Sequence, residues 1–140
     1  MSHLFSPLTI KSVTLRNRIG VSPMCQYSST DGFPNDWHFL HRGSRAIGGA
    51  GLVMVEATAV TAEGRISPGD AGIWKDEQTD AWRRIANVIA QYGAVPAMQL
   101  AHAGWKASTS SPWMGGLAVP AERGGWQPVG VGSTPFTEGL

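Results

Sequence analysis

Few residues in this chain are equipped for chemistry, and most fall in three short stretches. The first is Ser22-Pro23-Met24-Cys25-Gln26-Tyr27, which holds the only cysteine in 140 residues and one of two tyrosines. It follows the apolar run Ile19-Gly20-Val21. Pro23, with no N–H to give to a sheet, marks the end of that strand. A thiol and a phenol just past a strand end stand where parallel α/β folds place their sites. A lone cysteine is more often a small buried hydrophobe than a functional thiol, so its neighbours must decide. The second stretch is Ala57-Thr58, after the run Leu52-Val53-Met54-Val55. The third is Gln99, Ala101 and His102, at the end of the run Ala94 to Leu100.

In a parallel α/β fold these three strand ends converge on one face. A soft thiol, a phenol, a carboxamide and small residues that permit close approach suit a flat, neutral, hydrogen-bonding ligand. They do not suit hydrolysis, since no activated serine and no carboxylate pair stands among them. Other motifs carry less. Gly48-Gly49-Ala50-Gly51 precedes a strand, whereas a dinucleotide-binding glycine loop follows one and opens a helix, so it reads as structural. There is no P-loop lysine motif. His38 and His41 could share a metal from one helix, but no third ligand is evident nearby and a metal usually takes three or four. They read as capping or packing residues, and no metal site is expected.

The elements that must position these groups follow from periodicity. Leu8-Thr9-Ile10 and Val13-Thr14-Leu15 are β-prone runs that can form a hairpin through Lys11-Ser12, although this turn lacks Gly and Asn. Ile19 to Val21 reads as the first core strand, and Asp31-Gly32 signals a turn in the loop that follows. A helix starts at Asn35 or Asp36, either of which can cap it. Its apolar face reads as Trp37, Leu40 and Ile47, and Gly48-Gly49 stops it. Leu52 to Val55 is continuously apolar, as in a strand buried on both faces of a parallel sheet. The second helix presents Ala81, Trp82, Ile85, Val88, Ile89 and Tyr92 on one face. Asp76, Glu77 and Asp80 lie in or near its first turn, and Gly93 ends it. The third strand is Ala94 to Leu100, with Pro96 near its beginning. Strand, helix, strand, helix, strand argues for βαβ units, in an open sheet or a barrel. From Ala103 the periodicity disappears. So long a stretch is either a functional loop or a segment ordered by something outside the chain.

Composition bounds the function. The chain is 42% hydrophobic and 15% charged, with a net charge of +1 and scattered Lys and Arg. No basic stripe points to nucleic acid or anionic lipid. The N-terminus lacks the pattern of a secretory signal. The most apolar run, Gly51 to Val60, is too short to span a bilayer and contains Glu56. One cysteine excludes an internal disulfide framework and favours a reducing, cytoplasmic compartment.

Several blocks together resemble a known family. They are Arg16-Asn17-Arg18-Ile19 with Ser22 to Tyr27, Gly51 to Val60, Glu63-Gly64-Arg65-Ile66, Gly72-Ile73-Trp74, and Gln99-Leu100-Ala101-His102-Ala103-Gly104. In this order they are similar to the Old Yellow Enzyme family, and most of all to its thermophilic-like subgroup, which includes the xenobiotic reductases. The resemblance implies a flavin-binding (β/α)₈ TIM barrel that reduces activated C=C bonds of α,β-unsaturated carbonyl compounds. Hydride would pass from NADPH or NADH to FMN, and from the flavin to the substrate. On this resemblance Ser22, Pro23, Met24 and Cys25 line the flavin ring. Cys25 tunes its redox potential without acting as a nucleophile, Ala57 approaches it through the backbone, and Gln99 hydrogen-bonds its pyrimidine edge. Tyr27 meets the substrate's activating group, while Ile66 and Ala101 shape the pocket wall.

Two departures qualify the resemblance. Trp105 stands before Lys106 where the family usually has Arg. The chain is also shorter than the family's barrel: 1–102 corresponds to the first three or so βα units behind a short hairpin, and 103–140 to a Gly/Pro/Trp-rich loop segment. The family's carbonyl-binding pair and proton donor lie in later units, so no catalytic residue is assigned here. Three strands cannot close a barrel and leave apolar edges open. The expectation is therefore an α/β chain incomplete without a complementary C-terminal polypeptide, with a division in the stretch from Gly124 to Gly139 and possible homo-oligomers of the completed unit. The alternatives are a truncated flavoprotein fragment with no turnover, and the iron–sulfur dienoyl-CoA reductase branch of the same barrel.

Overall fold

The computed structural model describes residues 3–132. Strands β1 (Leu8–Ile10) and β2 (Val13–Leu15) form the expected antiparallel hairpin, with Leu8 opposite Leu15 and Ile10 opposite Val13. With neither Gly nor Asn in the turn, Lys11 itself adopts φ 53°, the left-handed conformation that a tight hairpin loop demands. At the other signalled turn, Asp31 and Gly32 take φ 48° and 75° between the bridged residues Thr30 and Phe33.

The core is a parallel sheet of β3 (Gly20–Val21), β4 (Leu52–Ala59), β5 (Ala71–Gly72) and β6 (Val95–Ala101). Strand β4 is central. β6 pairs with it from Leu52 to Ala59. The β3 and β5 strands pair with its two ends, at Leu52–Val53 and Thr58–Ala59. The sequence suggested three core strands; β5 is an addition, and two residues are too few to carry a period. The β4–β6 ladder slips between Val55 and Ala57. Glu56 is the extra residue of this bulge, so Val55 and Glu56 are both buried and the usual alternation breaks there.

Helix α1 (Asp36–Ile47) is capped by Asn35, whose side chain accepts the Trp37 N–H at 3.0 Å, while His38 Nδ1 accepts the Asn35 N–H at 3.1 Å. Its orientation corrects the apolar face read from the sequence. Trp37, Leu40 and Ile47 are 52%, 66% and 62% exposed, and the buried face is His38, Arg42, Gly43 and Ala46. The cause is Glu56 on β4, a buried charge that must be met by donors; α1 supplies them from its polar stripe.

Helix α2 (Asp76–Gln91) behaves more as expected. Trp82, Ile85 and Ile89 pack with Val53, Val55, Ala46, Ala50, Ala71 and Ala94 into one core, each large side chain contributing about 1.5–3 kcal/mol of burial. Tyr92, at its end, is largely exposed. Gly93 closes the helix at φ 78°.

Beyond β6 the chain is irregular but anchored. Residues 103–132 contain three single helical turns, at Gly104–Lys106, Pro112–Met114 and Ala121–Arg123. Ala107, Ser108 and Thr109 are buried. Thr109 N–H donates to Ile66 O at 2.8 Å, and Trp126 Nε1 donates to Glu63 O at 2.8 Å. Arg65 lies 4.8 Å from the Trp126 ring and 5.2 Å from the Trp74 ring. Much of this segment is thus ordered from within the chain. Trp105 packs on Gly130, where a Cβ would collide with the indole. Residues 133–140, in the expected region of division, lie outside the described residues. Among the described residues no helix is long and apolar enough to cross a membrane.

Candidate functional site

The register of the sheet brings together the residues singled out from the sequence. Ala57 on β4 is the direct partner of Gln99 on β6, and Ala101 stands opposite Ala59 two residues on. The loop Ser22 to Tyr27 leaves β3 on the other side of β4. The Ala57 backbone amide lies near enough to the Cys25 thiol to lower its pKa, against the larger effect of burial, which sets the loop beside the central strand. Ser22, Met24 and Gln99 are exposed, while Pro23, Cys25 and Ala57 are half-buried. The result is a ledge of one carboxamide, one thiol and small or apolar groups.

The charge state of Cys25 limits what it does. Burial, reinforced by the negative charges of Asp70 and Glu56, pushes the thiol up to about 11. At neutral pH it stays protonated, a soft contact and weak donor rather than a nucleophile. The Tyr27 phenol is also raised, first by burial and then by Cys25 and the two carboxylates.

Tyr27 has an unusual backbone conformation. Its φ is 51°, an uncommon conformation for a bulky residue that costs on the order of 1 kcal/mol. The neighbouring loop accommodates it: Ser29 N–H donates to Gly69 O at 2.9 Å, and a Cβ on Gly69 would come within 2.7 Å of the Tyr27 carbonyl oxygen. The Tyr27 ring meets Trp113 edge-on, centroids 5.1 Å apart and planes at 86°. Both line a cavity of about 500 Å³ with Ser67, Gly69, Leu117 and Arg123. Ile66 enters this region through its loop, and its carbonyl holds Thr109. Tyr27 and Ile66 therefore lie toward the 103–132 side, and Cys25, Ala57 and Gln99 lie on the sheet side.

Sequence reasoning read His38 as a capping or packing residue, which it is, but missed the buried pair Arg42 and Glu56. Glu56 is fully buried, with Oε2 accepting the Gln26 N–H at 2.7 Å and Oε1 lying 3.2 Å from Arg42 Nη2 and 3.5 Å from His38 Nε2. Arg42 Nη2 also donates to Met24 O at 3.0 Å. His38, edge-on to Trp82, is held neutral by burial and by the Arg42 charge, its pKa lowered to about 4. Burial raises the carboxyls of Glu56 and Asp70. One signal was available: a lone charge inside an apolar strand run has to be paired. Trp113, in an aperiodic segment, gave no signal.

Comparison with known proteins gives the family. Residues 3–121 match the family described as NADH:flavin oxidoreductase / NADH oxidase. An NADPH dehydrogenase of Geobacillus sp. (strain WCH70) is 49% identical over 119 residues, which are 84% of this chain and 35% of that protein. The NADH:flavin oxidoreductase FG08077 of Gibberella zeae is 48% identical over 124 residues, 88% of this chain and 30% of its own length. Among solved structures, the old yellow enzyme homologue from Zymomonas mobilis superposes with a TM-score of 0.77 at 30% identity, over 95% of this chain and 34% of that one. Morphinone reductase in complex with tetrahydroNAD gives 0.73 at 30% identity, over 91% and 32%. The chain therefore spans about a third of the length of the relatives it matches.

Proposed function

The chain belongs to the NADH:flavin oxidoreductase / NADH oxidase family, and on that premise we propose that it supplies one wall of the FMN site of an NAD(P)H-dependent ene-reductase. The residues present fit such a cofactor. Gln99 offers a donor and an acceptor side by side, suited to the pyrimidine edge of a flavin. Ala57, its register partner, leaves room for a ring to approach the backbone. Ser22, Pro23, Met24 and the neutral Cys25 would line the ring. FMN, when bound, would supply the hydride chemistry, accepting from NADPH or NADH and donating to an activated C=C bond.

The chain's own residues bind and orient. Cys25 stays protonated and would tune the flavin from its edge. Tyr27 would contact the activating group of an enone-type substrate, with Ile66 and Ala101 shaping the wall. Residues 1–102 carry the barrel portion in this reading, and 103–140 are the Gly/Pro/Trp-rich loop segment that follows its third strand. The carbonyl-binding pair and the proton donor would come from further βα units. The open edge of β6 supports that need, because Leu100 there is 65% exposed and an uncovered apolar edge strand invites pairing.

The observation that carries the proposal is the pairing of Ala57 with Gln99 on adjacent strands, with the Cys25 loop leaving the strand on the other side of β4. Its test is anaerobic NADPH or NADH oxidation by the assembled protein with 2-cyclohexenone, with the saturated ketone quantified. Stoichiometric cyclohexanone is expected. Flavin reduction without any saturated product would leave a flavoprotein that is not an ene-reductase.

A further inference from the structure

The loop that carries Cys25 has no regular hydrogen-bonding pattern of its own, yet both peptide units flanking Cys25 are held from below. The carbonyl of the Met24–Cys25 peptide accepts from Arg42 Nη2 at 3.0 Å. The N–H of the Cys25–Gln26 peptide donates to Glu56 Oε2 at 2.7 Å. The two side chains also meet one another, at 3.2 Å, with both fully buried. Each thus spends one contact on its partner and one on the backbone beside the thiol.

A buried ion pair is weak grounds for stability, because an apolar pair of similar volume serves about as well. Arg42 even leaves Nε and Nη1 without partners, which is costly for buried donors. The bulge that turns Glu56 under the loop is a further irregularity in an otherwise regular ladder. What the pair does that an apolar pair could not is fix two peptide planes, and with them the direction of the Cys25 side chain.

We propose that Arg42 and Glu56 are positioning residues that clamp the peptides on either side of Cys25 and so set where its thiol points. The inference rests on the reading of this loop as the flavin-facing wall. His38 completes the cluster by facing Glu56 Oε1 at 3.5 Å from its own place in the α1 capping box.

The test uses the assembled protein with Glu56→Gln, which keeps an acceptor for the Gln26 N–H, and Glu56→Leu, which keeps volume and removes it. Peptide-resolved hydrogen exchange and alkylation of Cys25, followed by mass spectrometry, are read beside the flavin midpoint potential. The clamp predicts a graded series. Cys25 alkylation rises about 3-fold in Glu56→Gln and about 10-fold in Glu56→Leu, as the thiol loosens and loses a neighbouring negative charge. Exchange at Gln26 accelerates in the same order and by more than that of the α1 and β4 amides, which report only the global loss of stability, and the flavin potential shifts. A merely structural pair would loosen α1 and β4 to the same extent as the loop. Alkylation and Gln26 exchange within 2-fold of wild type in a folded variant would overturn the proposal. If Glu56→Leu does not fold, Glu56→Gln decides by the same criteria. A protein that carries no FMN would sink the flavin reading, and alkylation and exchange would still judge the clamp.

Discussion

Two irregular regions flank the strand ends, and they are held by opposite means. The Ser22–Tyr27 loop rests on fully buried charges, Arg42 and Glu56, through a few contacts in a dry interior. The 103–132 segment is held near the surface by dispersed contacts. These are the Trp126 hydrogen bond to Glu63, the Thr109 bond to Ile66, and Arg65 between two indoles. A loop fixed by a buried pair has one conformation and fails abruptly when a partner is lost. A segment fixed by many weak contacts yields by degrees. In the proposed flavin site the first arrangement would hold a rigid ring, and the second would let the neighbouring segment yield.

The sharpest way to break this contrast is Arg42→Met. It leaves the buried Glu56 without its cation and is expected to destabilise the assembled protein by about 3–5 kcal/mol, read from denaturant unfolding. A loss under about 1 kcal/mol would mean that the charges are not truly buried. Acid addresses the same region. His38 is pushed from its ordinary 6.5 to about 4 by burial, so the unfolded chain binds a proton that the folded chain refuses. That contribution to stability is complete above pH 6.5 and is lost as pH falls toward 4. Glu56 and Asp70, whose carboxyls burial raises, act in the opposite sense. The His38 share is therefore the difference between wild type and His38→Gln in the pH dependence of unfolding; identical profiles would contradict it.

On the other side, Trp126→Ala removes a hydrogen bond and one face of the Arg65 stack. It should cost about 1–2 kcal/mol and loosen 103–132 in hydrogen exchange while Gln26 stays protected. Spread of the loosening to Gln26 would join the two regions that the contacts separate. The smallest effect expected is that of Asn35→Ala, about 1 kcal/mol, measured by thermal unfolding. Asn35 caps α1 and also donates to Ser28 O at 2.6 Å, so the loss should appear at the start of α1 and in the adjoining loop.

How much was legible in the sequence follows the same division. The core strands, both helices and the caps could be read because period and capping chemistry are local. Even the hairpin without Gly or Asn formed, with Lys11 accepting the left-handed conformation. The buried face of α1 could not be read from period. Trp37, Leu40 and Ile47 form the better apolar stripe, but the helix is turned by a distant charge, Glu56, 14 residues beyond Arg42. Strand β5 was too short to show a pattern, and the order in 103–132 comes from long-range contacts such as Trp126 to Glu63, 63 residues apart. The pairing of Ala57 with Gln99 was legible because strand ends converge in any parallel sheet. The pair beneath them was not, since Arg42 lies on the side of α1 away from the apolar stripe read from the sequence.

The central claim is that Cys25, Ala57 and Gln99 form one wall of a flavin site, and titration of FMN into the assembled apoprotein tests it most directly. One FMN should bind per chain with a perturbed visible spectrum, and Gln99→Leu should weaken binding by about 10-fold or more, as loss of paired hydrogen bonds to a buried ligand edge implies. Unchanged affinity and spectrum in a folded Gln99→Leu protein, or no binding of FMN at all, would contradict it.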